Sequence, residues 1–357
     1  MHNKSFFEYL GISDVERIHS QFFAWLFSVD CRAVSSANKH KLLMALFNTN
    51  NDSKILKVHT EMSGIDILIE TSNEIIVIEN KLKSSQHSDQ LTKYKEYCDH
   101  KFPQVQKRFY FLTLTGEKSN DVNWRRMSYY QMYEQLHKLP LNDEENHTVI
   151  VREYLVFLQR LTSCVNDFIS RPHDYDMVFM DGKKKKIDKI NCLYATPNER
   201  FIASNQLETI LQKCFLHGLS EQIDTNISFV SDTRGDALID FPIRSGIIYK
   251  NRNYSTILQL QQDNIKFAFA IFGEGYVTSR KEWIEGAIPL MELLRLENVH
   301  GYTKVNKPKS KAYISVSKKL NINYWKMAPS VLKDFIVAEI ANAEKMTGFL
   351  VGKLQGL

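Results

Sequence analysis

The stretch GIDILIETSNEIIVIENKLK, residues 64–83, leaves this chain few ways to fold. Two isoleucine-rich runs flank the short polar tip TSNE, the pattern of a β-hairpin. The second run, IIVI, shows no polar alternation, as expected of a strand covered on both faces. Yet acid interrupts both arms, Asp66 in the first and Glu79 at the end of the second. Closing the hairpin symmetrically about Ser72 and Asn73 pairs Thr71 with Glu74 and, carried down the arms, Asp66 with Glu79. Their Cβ atoms would then lie about 4.5–5.5 Å apart, an arrangement that destabilises a sheet when both groups are negative.

Side chains alternate along a strand, so Glu79 and Lys81 project together, Asn80 points away, and Gly64 lies opposite Lys81. Two carboxylates crowded into an apolar setting need a positive charge between them. Lys81 supplies part of it, and a divalent cation would supply more. Carboxylate oxygens suit Mg²⁺, which keeps several waters and bridges to substrate phosphate. Phosphodiester hydrolysis uses such a set: the metal activates water and offsets phosphate charge while a lysine steadies the attacking group. A bare E-x-K pair on a strand is also a common solvent-facing ion pair of little energetic weight.

Around the hairpin, SDVERIHSQFFAWLF has the three-and-four spacing of an amphipathic helix, with Ser13 and Glu16 placed as a capping box. Helices are expected near 86–99, where Leu91, Tyr94 and Cys98 share a face, from the capping pair Ser128 and Gln131, and along VIVREYLVFLQRLTSCVNDFI. RFYFLTLTG at 108–116 reads as a buried strand. The order makes an α/β unit over 1–170. Pro172, Gly182 and the run Lys183–Lys186 break periodicity and mark 171–189 as a linker. Beyond it, 190–357 reads as a second, α+β domain, in keeping with the two domains that 357 residues suggest.

The net charge of +5 is unevenly spread. Residues 301–333 hold eight lysines and no acid, interleaved with Tyr302, Tyr313, Tyr324 and Trp325. Lysine with aromatics suits phosphate contact and base stacking, which nominates Lys304, Lys307, Lys309, Lys311, Lys318 and Lys319 for nucleic acid. Lysines also protect exposed strand edges, so both readings stand. Five widely spaced cysteines show no zinc pattern. Neither a secretory signal nor an apolar run of membrane-spanning length is present, which leads to the expectation of a cytoplasmic protein.

Asp66 followed by Glu79-Asn80-Lys81 resembles the motif of the PD-(D/E)XK nuclease superfamily, with Ile65 where the name-giving proline stands. Gln90 and Tyr94 in QLTKY resemble the Q-x-x-x-Y helix of some branches. ERIHSQFFAWLF is similar to the first helix of one group, whose glutamate reaches the metal. The resemblance covers roughly residues 5–165. It implies a restriction-endonuclease-like core, a mixed β-sheet flanked by helices, and a Mg²⁺-dependent nuclease with Mn²⁺ as an alternative ion. Asp66 and Glu79 would hold the metal, with Glu16 as third carboxylate. Lys81, Gln90 and Tyr94 would complete the catalytic set, and His19 and Ser20 are weaker nominees. Nucleic acid is the implied partner, DNA ahead of RNA, and defence or restriction the implied setting. The rival reading is a non-cleaving nucleic-acid-binding or scaffold protein on the same fold. A homo-oligomeric state is left open.

Overall fold

The computed structural model describes residues 4–83, 89–114, 119, 121–180, 196–223, 228–233, 235–249, 252–271, 291–292, 294–295, 301–306 and 313–355. Contacts group the chain into two units, Met1–Ser170 with Asn191–Leu211, and Arg171–Ile190 with Gln212–Leu357.

The first unit is built on five strands: β1 (Ile55–Met62), β2 (Ile65–Thr71), β3 (Glu74–Lys81), β4 (Gln106–Thr113) and β5 (Trp124–Ser128), in that spatial order. The first three pair antiparallel and the last three parallel, which makes a mixed sheet. β3 lies in the middle and is buried along its whole length, as its unbroken apolar run requires. The hairpin register follows the symmetric closure, with Ile67 opposite Ile78 through Glu70 opposite Ile75. Ser-Asn is a weak turn dipeptide. The Thr71 hydroxyl closes the turn instead, donating to the Glu74 carbonyl (2.8 Å) and accepting from the amides of Asn73 and Glu74.

Helices α1 (Phe6–Tyr9), α2 (Glu16–Phe27), α3 (Ser36–Phe47), α4 (Gln90–Lys101), α5 (Tyr129–Leu136) and α6 (His147–Ser170) surround this sheet. α4 packs Leu91, Tyr94 and Cys98 onto Ile75, Val77, Phe109 and Phe111, while α2 lies against β1, β2 and β3. The Ser128–Gln131 capping box forms as expected. The one expected at Ser13 and Glu16 does not. α2 starts at Glu16 itself with Val15 as its N-cap, and the Ser13 hydroxyl turns inward to Asn205. β1, β5 and α3 add to the elements expected from the sequence.

The segment 171–189, expected as a linker, enters the second unit through its described part, where α7 (Asp176–Phe179) buries Val178 and Phe179. Phe179 stacks on Trp325 with ring centroids 4.8 Å apart. Its lysine run lies outside the described residues. α8 (Pro197–Ser204) groups with the first unit, past the boundary expected at 190. The helix α9 (Glu208–Ile223) leads into the second unit's antiparallel sheet of six strands. Their order is β10 (Lys304–Asn306), β11 (Tyr313–Lys319), β9 (Asn264–Ile271), β8 (Arg252–Gln261), β7 (Asp236–Tyr249) and β6 (Phe229–Thr233). A long helix, α10 (Pro329–Gln355), packs against β7 and β8. Among the described residues no helix is long and apolar enough to cross a membrane.

Candidate active site

The register of β2 and β3, continued one step beyond Ile67 and Ile78, sets Asp66 opposite Glu79 at the sheet end that faces the start of α4. The Asp66 carboxylate accepts from the Asn80 amide at 2.7 Å, which fixes it across the two strands. Glu79 is 1% exposed and Lys81 9%. The two meet at 2.6 Å, Nζ to Oε1, on the face they share. Glu79 Oε2 is buried and accepts no hydrogen bond.

The electrostatics follow from this crowding. Burial, then the Asp66 carboxylate beside it, pushes Glu79 up to about 8, against the pull of Lys81. Burial also raises Asp66, partly offset by the Asn80 amide and Lys81. Burial pulls Lys81 down, but Glu79 and Asp66 outweigh it, and the ammonium ends above its ordinary value. With both acids ionised, one cation answers a buried and a half-buried carboxylate and the site is short by one positive charge, which the raised Glu79 meets with a proton in metal-free protein. Hard oxygen donors short of positive charge fit a divalent ion such as Mg²⁺ or Mn²⁺.

α4 brings the other two expected residues to the site. Gln90 Nε2 donates to the Tyr94 hydroxyl (2.7 Å), which donates to the Gly64 carbonyl (2.6 Å). Gly64 has φ +84°, and a Cβ there would stand 3.3 Å from the tyrosine oxygen, so glycine suits both the backbone and the contact. Gln90 Oε1 is buried without a hydrogen-bond partner. The charges of Glu79, Asp66 and Lys81 all act on Tyr94, placing its ring beside the acids.

Glu16 stands at the start of α2. Its Oε1 accepts from the Lys83 amide at 2.7 Å. Among the described residues no group of three or more His, Cys, Asp and Glu side chains forms a metal-binding cluster. Glu16 is still near enough for its charge to act on Asp66 and Lys81. Ser20 ties α2 to the sheet and His19 ties it to α6. Asn80 Nδ2 donates to Ser20 Oγ (3.0 Å) and to the Glu16 carbonyl (3.2 Å), and its Oδ1 accepts from the Tyr129 hydroxyl (2.8 Å). His19 is fully buried, and desolvation lowers it to about 4, so its ring is neutral. Nε2 lies 3.0 Å from the Ser13 carbonyl, which only accepts, so Nε2 carries the proton and Nδ1 accepts from the Tyr154 hydroxyl at 2.7 Å. Neither ring nitrogen is left for a metal. Asn80 and Tyr129 are missing from the sequence reading, because their contacts join segments far apart in the chain.

The lysine-rich segment is mostly structural where it is described. Lys318 is paired with Glu339 at 2.7 Å and lies over the buried Tyr302 ring at 5.0 Å. Lys319 is exposed but pairs with Asp263 at 3.1 Å, and Lys304 lies exposed on β10. Lys307, Lys309 and Lys311 lie outside the described residues. Tyr302 and Tyr324 are core residues, and the half-buried Trp325 stacks on Phe179.

Residues 4–156 match the family model of the PD-(D/E)XK nuclease superfamily. No curated protein and no solved structure matches the chain. Over the matched span the chain is a PD-(D/E)XK nuclease-superfamily domain, and its five-stranded mixed sheet flanked by helices is a restriction-endonuclease-like core.

Proposed function

From that membership and the two acids it brings together, we propose that this protein is a metal-dependent nuclease that hydrolyses phosphodiester bonds of nucleic acid, DNA first. One observation carries the reading: a buried Glu79, raised to about 8 beside Asp66, with Lys81 as the neighbouring cation. Asp66 and Glu79 would hold Mg²⁺, or Mn²⁺ in its place, and Glu16 supports them from the start of α2. When bound, the ion supplies a lowered pKa for water and positive charge against the phosphate.

The chain's own residues do the rest. Lys81 stays protonated and donates to the attacking water or to a non-bridging phosphate oxygen. Tyr94, fixed between Gln90 and the Gly64 carbonyl, holds the start of α4 beside the acids. The water oxygen bonds to phosphorus, one P–O ester bond breaks, and the leaving oxygen takes up a proton. The four described cysteines are free thiols, which fits the reducing cytoplasm, and defence against foreign nucleic acid is the setting we assign.

The test incubates the purified protein with DNA and with RNA in Mg²⁺ or Mn²⁺, beside folded Asp66→Ala and Lys81→Ala variants. Cleavage by the wild type that both variants lose is the expected result. Cleavage unchanged in both ends the assignment, and binding without cutting turns it into the scaffold reading.

A further inference from the structure

We infer that Thr113 is a positioning residue of this site, its hydroxyl holding the water that attacks phosphorus. The inference rests on the nuclease reading above. β4 runs parallel to β3 with Thr113 in register with Lys81 and Phe111 with Glu79. Paired residues on neighbouring strands share a face. Thr113 therefore projects on the face that carries Glu79 and Lys81, one strand further from Asp66.

Its hydroxyl and that of Thr49 are the two buried threonine hydroxyls left without a hydrogen-bond partner among the described residues, and of the two only Thr113 is in register with Lys81 on the face shared with Glu79. Thr113 is 2% exposed, and its Oγ has no hydrogen-bond partner among the described residues. Thr71, Thr148 and Thr162 are similarly buried, and each donates to a backbone carbonyl. A buried hydroxyl without a partner costs stability that valine, of nearly the same shape, would avoid. On the same side of the sheet, at the start of the helix α4 that packs there, Gln90 Oε1 is also buried without a hydrogen-bond partner among the described residues. An amide oxygen only accepts, and a hydroxyl both accepts and donates. What completes such a set is a group rich in hydrogens to give, and water is that group. A water seated there gives one hydrogen to Thr113 Oγ and is held beside Lys81, its lone pair left for phosphorus.

This role and a structural one part company in Thr113→Val and Thr113→Ser. Cleavage kinetics are measured in Mg²⁺, and thermal unfolding in metal-free protein. The valine variant is expected to lose about 100-fold in kcat, the scale of a misplaced reacting group, with KM changed by less than about twofold. It should melt at or above the wild-type temperature, since no hydrogen bond within the described protein is lost. Serine restores kcat to within about threefold, because it returns the hydroxyl. Wild-type kcat in the valine variant, a lower melting temperature for it, or a serine variant as slow as valine overturns the inference. Thr113→Ala, which also removes the hydroxyl, serves in its place if valine does not fold. When Asp66→Ala is dead and Thr113→Val unimpaired, this inference falls alone. If the wild type cuts neither DNA nor RNA, the nuclease reading falls and takes this one with it.

Discussion

Strand β3 carries a buried glutamate near each end, and the two are treated in opposite ways. Glu74, 0% exposed, meets the Arg108 guanidinium and accepts from the Asn50 amide (3.4 Å) and the Ser53 hydroxyl (3.3 Å). Glu79, 1% exposed, shares its single cation with Asp66 and keeps one oxygen unbonded. Burial is the same, so burial does not separate a structural acid from a functional one. The difference is the balance of charge and hydrogen bonds: complete at Glu74, short by a cation at Glu79. A fold has no structural use for such a shortfall, since a buried ion left short of partners only destabilises it.

The sharpest contrast between the two ends lies in activity. Asp66→Ala should lower kcat for DNA cleavage by about 10³-fold or more, on the scale of lost electrostatic stabilisation of a transition state. Glu74→Ala should behave oppositely. It leaves the Arg108 charge buried and uncompensated, which costs about 3–5 kcal/mol of stability, visible as a lower urea midpoint. Cleavage per folded molecule stays near wild type, and a dead but stable Glu74→Ala protein would erase the distinction.

Next comes pH. His19 is held neutral, its folded pKa near 4 below the ordinary 6.5, so the unfolded chain binds the extra proton between those values. The stability this represents is present above pH 6.5, declines as pH falls toward 4, and amounts to about 3 kcal/mol. Urea unfolding from pH 7 to pH 4 should show this decline in the wild type and a shallower one in His19→Gln. Glu79 has the reverse sign. Its folded pKa of about 8 lies above the ordinary 4.5, so its contribution is full below pH 4.5 and lost as pH rises through 8. In metal-free protein Glu79→Gln should remove that alkaline loss. Equal pH slopes for Glu79→Gln and wild type would show that the carboxyl is not held protonated.

The hairpin was legible because strand alternation and a symmetric tip define a register without outside help, and the Asp66–Glu79 pairing follows from it. Gln90 and Tyr94 were legible as one helical turn. What escaped depends on partners distant in sequence. Ser13 has the spacing of a cap, yet its hydroxyl is taken by Asn205, a residue that no local rule connects to it. Asn80 looks incidental until Ser20 and Tyr129 are seen to converge on it. Thr113 acquires meaning only through its parallel register with Lys81. Lys318 read as a nucleic-acid contact because its acid, Glu339, arrives on α10, outside the acid-free stretch.

The claim beneath all of this is that Asp66 on β2 and Glu79 on β3 hold a divalent ion. Titrating Mn²⁺ into metal-free protein by calorimetry at pH 8, for wild type, Asp66→Asn and Glu79→Gln, addresses it without any nucleic acid. Binding in the wild type that falls at least about tenfold in each variant, with Glu74→Gln unaffected, is the expected result. Equal Mn²⁺ affinity in wild type and both variants would contradict the account.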